Sequence, residues 1–177
     1  IWHKPNPMPE SVTDRCTKAH EYIFLLAKSE RYWFDAKAIA EPSVDPIGSA
    51  KRYEKPFFVG PKHEAGGYSS SGQKHTGGAK SFDGTRNKRS VWTVATQPYP
   101  EAHFATYPPK LIEPCILAGC PADGTVLDPF GGSGTTAAVA VKHGRSAVLC
   151  ELNPAYAQLA ERRVREQLDG VGLFVGE

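Results

Sequence analysis

Residues 101–177 predict an open α/β sheet with parallel strands joined by right-handed crossovers, because strand and helix patterns alternate at short spacing. The stretch "VLDPFGGSGTTAAVAV" (126–141) breaks an apolar run with Gly131, Gly132 and Gly134, then resumes as small, helix-compatible residues. The stretch "RSAVLCEL" and the following "NPAYAQLAERRVREQL" repeat that alternation. Upstream, an irregular basic block over 41–100 interrupts any regular pattern, so the fold class is α/β with a basic insertion.

The elements follow in order. Residues 1–40 begin with the Pro-rich "HKPNPMPES", and the runs "EYIFLLAKS" and "RYWFD" are aromatic or β-branched segments predicted to be strands. His20 and Glu21 would face opposite sides of such a strand and so would not act as one acid–base pair. The segment "PPKLIEPCILAG" predicts a helix with Pro near its start and Gly at its end. "GTVLDPF" predicts a strand, "GTTAAVAVKHG" a helix and "RSAVLCEL" a second strand. The last helix opens with Asn153 as N-cap and Pro154 in the first turn.

Composition narrows the function classes. The 177 residues, 40% of them hydrophobic, suffice for one domain with an insertion, and no run approaches a membrane span of about 18 apolar residues. No secretory leader pattern is present, and Cys16, Cys115, Cys120 and Cys150 form no C-x-x-C pair. Reduced thiols, a cytoplasmic location, no membrane partner and no metal site are therefore expected. The chain starts at Ile1 inside a pattern, as a piece cut from something longer would. Residues 51–100 carry nine Lys/Arg against three acids, a surplus of six that leaves −4 for the rest of a chain whose net charge is +2. That block holds the Gly/Ser-rich "GGYSSSGQKHTGGAK" and ends in "RNKRSVW", three cations beside a tryptophan. Such a stretch suits either a solvated loop or a nucleic-acid surface.

The glycine turn admits three ligand classes. A phosphate-binding P-loop needs a Lys after its last Gly, and none lies between Lys110 and Lys142. A nucleophile elbow needs Gly where Thr135 stands, so Ser133 is read as a small turn residue. The dinucleotide fingerprint is met by Gly132-Ser133-Gly134-Thr135-Thr136-Ala137, with Glu151 at the end of the next strand to accept ribose hydroxyls. Asp128-Pro129-Phe130 then distinguishes between adenosine-containing ligands. A carboxylate at the strand tip repels a pyrophosphate but accepts from an ammonium group, which favours S-adenosylmethionine over a dinucleotide.

"VLDPFGGSGTT" followed by "CELNPAYAQLAERR" resembles the cofactor half of the exocyclic-amino DNA methyltransferases, the N4-cytosine and N6-adenine group. "IWHKPNPMPESVTDRCTKAHEYIFLLAKS" is similar to the stretch after their catalytic motif, and "RSVWTVATQPYPEAHFATYPPKLIEPCILAGCP" to their junction with the cofactor fold. The order is that of class beta, and the matching stretches cover about two-thirds of the chain. The resemblance implies part of a Rossmann-like S-adenosylmethionine-dependent methyltransferase sheet. It implies that residues 1–40 end the catalytic half, 41–100 form the target-recognition region and 101–177 bind the cofactor.

It further implies site residues: Asp128, Phe130, Gly131, Gly132, Gly134 and Thr135 on the cofactor loop, and Glu151 on the ribose. His103-Phe104-Ala105-Thr106-Tyr107-Pro108 falls on the motif contacting the methionine end, with Thr106 as partner of the cofactor's carboxylate and Pro108 closing the segment. For double-stranded DNA, the candidates are Arg86, Lys88, Arg89 and Trp92, with Lys4, Asn6 and Arg15 lining the cleft. The family's catalytic (Asp/Ser/Asn)-Pro-Pro-aromatic loop is not found in the chain and is expected upstream of Ile1, so the chain alone is expected to be inactive and no catalytic residue is assigned within it. The target stays open between cytosine N4 and adenine N6, the overall resemblance leaning to cytosine.

Overall fold

The computed structural model describes residues 1–47, 83–97 and 106–170. The Gly/Ser-rich stretch at 66–80, most of the basic block and His103, Phe104 and Ala105 lie outside the described residues. The chain divides into two compact units, one of residues 1–39 with 88–177 and one of 40–87.

In the first unit, residues 109–170 take the alternating form expected of them. Helix α1 (Pro109–Gly119) begins after Pro108, where the missing proline N–H costs nothing, and Cys120 N–H closes it on the Ile116 carbonyl at 2.9 Å. Strand β6 (Thr125–Asp128) leads through the glycine turn into α2 (Thr135–Lys142). Strand β7 (Ser146–Leu149) then lies parallel to β6, in the register Val126↔Ala147 and Leu127↔Val148. Helix α3 (Pro154–Gly170) opens as expected: the Ala155 amide donates to Asn153 Oδ1 at 2.9 Å.

The strands alternate, so one face carries Val126 and Ala147 and the other Leu127 and Val148. Val126 and Ala147 pack with Ile112 against the buried Ile116, Val139 and Ala140. Helix α2 is buried from Thr135 to Ala140, and its small side chains let α3 and the sheet approach it closely. Leu127 and Val148 are exposed on the opposite face.

The first residues form a second small sheet. Strand β1 (Trp2–His3) pairs antiparallel with β2 (His20–Glu21) and parallel with β5 (Trp92–Thr93). The strands expected over 21–29 and 31–35 are not formed beyond Glu21. Beyond Glu21, which pairs with Trp2, residues 22–40 form no strand. Tyr22, Phe24, Leu25 and Leu26 are exposed. Glu21 pairs with Lys4 while His20 Nε2 meets the Tyr22 hydroxyl at 3.4 Å, so the two neighbours do point to different partners.

In the second unit, β3 (Glu41–Pro42) and β4 (Thr85–Arg86) pair antiparallel, Glu41 opposite Arg86. The Arg86 guanidinium reaches Glu41 Oε2 at 3.5 Å.

Candidate functional site

The glycine turn sits at the carboxyl end of the parallel strands, the edge where open α/β sheets bind ligands. Each glycine there has its own reason. Gly131 donates to the Cys150 carbonyl at 2.8 Å, and a Cβ on it would lie 2.9 Å from Leu149 Cβ, so the turn is drawn tightly onto β7. Gly134 has φ +77°, and its Cβ would lie 2.7 Å from Ala160 Cβ, so only glycine there allows α3 to pack against the start of α2. Gly132, at φ +50°, is different: a Cβ there would meet only the Phe130 carbonyl, at 3.8 Å. Its backbone faces open space that a ligand can enter.

Two carboxylates frame the turn. The Gly132 amide donates to Glu151 Oε2 at 2.7 Å, and the Asn153 amide to Glu151 Oε1 at 2.8 Å. These donors, Asn153 first and then Gly132, hold the Glu151 carboxyl below its ordinary range. Asp128, at the tip of β6, accepts the Phe130 amide on Oδ1 at 3.0 Å and the Thr136 hydroxyl on Oδ2 at 2.5 Å. The Tyr107 hydroxyl lies 2.5 Å from Thr136 Oγ1 and 3.3 Å from Asp128 Oδ2. From α3, the Arg163 guanidinium donates to Thr135 Oγ1 at 2.9 Å and to the Ser133 carbonyl and hydroxyl at 3.3 Å. The turn is thus held by Arg163 on one side and by the Tyr107–Thr136–Asp128 cluster on the other.

The structure therefore brings Asp128, Phe130, Gly131, Gly132, Gly134, Thr135 and Glu151 together. Phe130 is 86% exposed at the rim, a large apolar ring in solvent beside polar groups. Pro108 is fully buried ahead of α1, and Thr106 is half-buried in the same lead-in segment. Tyr107, between them, is what joins that segment to Asp128. Sequence reasoning does not single out Tyr107, Thr136 or Arg163. The only signals are an aromatic hydroxyl just before a helix, the second Thr of "GTT" and a cation three turns into the last helix.

The residues expected at DNA have other engagements. Lys4 pairs with Glu21 and sits 4.3 Å over the Trp2 ring. Asn6 receives the Thr96 amide on Oδ1 at 3.0 Å and donates to the Thr96 carbonyl at 3.4 Å, which ties the first loop to the segment after β5. Arg15 pairs with Glu10 at 3.4 Å. Lys88 lies 5.4 Å over the Trp92 ring, and the Trp92 indole N–H donates to the Arg89 carbonyl at 2.7 Å. Lys88 and Trp92 thus form a local cation–aromatic pair, suited to holding a cation in place without neutralising it, with the Arg89 carbonyl fixing the indole. Among the described residues, no cluster of His, Cys, Asp or Glu is placed to hold a metal ion.

A glycine turn ending a parallel strand, with an acid at the tip of each of two neighbouring strands, matches a known family along most of the chain. The DNA methylase family profile matches residues 1–162, and the chain belongs to that family. Three Type II methyltransferases are similar over nearly the whole of it. M.SmaI of Serratia marcescens is 40% identical over 164 residues, covering 93% of this chain and 44% of that protein. M.Cfr9I of Citrobacter freundii is 39% identical over 165 residues, covering 93% and 43%. M.XycI of Xanthomonas campestris pv. cyanopsidis is 40% identical over 171 residues, covering 97% and 45%. The chain spans less than half the length of these relatives.

Proposed function

We propose that the chain is the cofactor-binding and target-recognition part of a site-specific DNA methyltransferase. The reaction is transfer of a methyl group from S-adenosylmethionine to the exocyclic amino group of cytosine (N4) or adenine (N6) in double-stranded DNA. The carrying observation is the union of the glycine turn with Glu151: one carboxylate takes the Gly132 amide and the Asn153 amide, one on each oxygen. With the Leu152 amide also directed at it, the carboxylate keeps acceptor capacity for a ribose hydroxyl.

The residues present fit this cofactor. Gly132 leaves the backbone approachable, Glu151 offers acceptors for ribose hydroxyls, and Asp128 offers an acceptor for an ammonium group. The cation at the turn, Arg163, is directed at Ser133 and Thr135, which is consistent with a ligand carrying no pyrophosphate. Thr106 and Phe130 would border the same ligand, the buried Pro108 would fix the lead-in segment behind it, and Thr135 would hold the turn through Arg163. When bound, S-adenosylmethionine supplies an activated methyl group. The work of this chain's residues is then orientation: fixing the ribose at Glu151 and the amino-acid end at Asp128 sets the direction in which the cofactor presents its reactive centre. A base whose exocyclic amino group is held opposite that centre would need no enzyme nucleophile.

Lys88, Arg89 and Trp92, with Arg86 and the cations of 41–100, are proposed as the DNA-facing residues, and Lys4, Asn6 and Arg15 as part of the cleft. Calorimetry on the full-length protein tests the cofactor assignment. S-adenosylmethionine should bind and NAD should not; binding of NAD alone would replace the methyltransferase by a nicotinamide enzyme.

A further inference from the structure

We propose that Tyr107 is a positioning residue of the cofactor site, acting through the Thr136 hydroxyl to hold the Asp128 carboxylate toward the ligand's ammonium group. This rests on the function proposed above and adds two residues to it. The geometry dictates the direction of the relay. Three oxygens, Tyr107 Oη, Thr136 Oγ1 and Asp128 Oδ2, lie within 2.5 to 3.3 Å of one another, and only two hydroxyl protons are available. If both hydroxyls donated to Asp128, the Tyr107 and Thr136 oxygens, 2.5 Å apart, would face each other with no proton between them. The arrangement without that clash runs Tyr107 to Thr136 to Asp128.

The relay couples three elements: the segment before α1, the first turn of α2 and the tip of β6. Burial raises the Tyr107 hydroxyl above its ordinary value, so it stays a donor across the physiological range. All three residues form the polar end of a groove of about 700 Å³ that runs along β6 and α1, whose other lining is mostly apolar. The relay therefore faces space rather than a sealed core. With Oδ2 taken by Thr136 and Oδ1 by the Phe130 amide, the carboxylate cannot rotate without losing a charge-assisted bond. Its remaining acceptor sites are aimed by the Thr136 hydroxyl and the Phe130 amide.

The test uses the full-length protein and two ligands, S-adenosylmethionine and 5′-methylthioadenosine, which keeps the adenosine but lacks the ammonium-bearing end. Tyr107→Phe and Thr136→Val are each expected to weaken S-adenosylmethionine about tenfold, the scale of one hydrogen bond to a charged group, and to leave methylthioadenosine within about twofold. Thr136→Ser, which keeps the hydroxyl, should restore wild-type affinity. In an Asp128→Asn background the Tyr107→Phe effect should vanish, because the relay then has no charge to hold. Equal loss for both ligands, or a Tyr107→Phe effect undiminished in the Asp128→Asn background, would make the cluster purely structural and overturn the proposal. So would unchanged affinity in both hydroxyl variants. If Tyr107→Phe does not fold, the Thr136→Val and Thr136→Ser pair decides by itself. Failure of the wild-type protein to bind S-adenosylmethionine at all would instead overturn the function on which the relay rests.

Discussion

Gly134 shows how much a single missing methyl group can determine. Its φ of +77° favours glycine, and the nearest heavy atoms to an added Cβ belong to Ala160, at 2.7 and 2.8 Å. One of those is backbone, so the neighbour cannot rotate away. Gly134→Ala is therefore expected to destabilise the protein by about 2–4 kcal/mol, from left-handed strain plus overpacking, read as a lower urea midpoint with unchanged slope. Gly132→Ala, at φ +50°, meets no such contact; it should cost only the left-handed strain, about 1–2 kcal/mol, and lose cofactor affinity as well. Glu151 gives a residue-scale prediction in pH. Its carboxyl is held below the ordinary 4.5 by the Asn153 and Gly132 amides. A depressed folded value means that the contribution is complete above the ordinary value and lost as pH falls through the folded one. The Gly132 and Asn153 amide resonances should move together on acidification below the ordinary carboxylate range, and Glu151→Gln should abolish that shared step.

At the scale of elements, helix ends and helix contacts decide more than strands do. Helix α3 is capped by Asn153, and its Arg163 reaches back under the glycine turn. Asn153→Ala should cost about 1 kcal/mol, measured by thermal or urea unfolding, with a loosened turn as a secondary effect. Helices α1 and α2 are pinned by Glu113, whose Oε1 lies 2.7 Å from His143 Nε2 and 3.3 Å from Lys142 Nζ. That contact is partly solvated, so Glu113→Gln should change stability by no more than about 1 kcal/mol. These helix caps and breaks were legible from the sequence because Pro, Gly and Asn act locally. The strands of 21–29 and 31–35 were not: an aromatic run records a preference for a sheet, whereas a strand exists only where another backbone lies opposite.

For the whole molecule, the charge distribution makes the strongest statement. A surplus of six positive charges in residues 51–100, against −4 elsewhere, gives one region the character of a polyanion contact. If that region meets DNA as proposed, the logarithm of the binding constant should fall linearly with the logarithm of salt concentration. The double variant Lys88→Ala, Arg89→Ala should reduce that slope by about two, one for each lost phosphate contact. A flat salt dependence would remove the basic block from the DNA interface. Among the described residues no helix is long and apolar enough to cross a membrane.

The sequence by itself determined the α/β alternation of residues 109–170, the glycine turn, the Asn153 cap and the pairing of that turn with Glu151. All of these depend on backbone preferences within a few residues or on one strand–helix–strand repeat. Tertiary structure alone decided that Tyr107 and Thr136 meet at Asp128, that Arg163 props the turn, and that Lys4 and Asn6 bind their own chain. Those contacts join residues 8 to 90 positions apart, and a hydroxyl or a guanidinium has no periodic signature until folding places its partner.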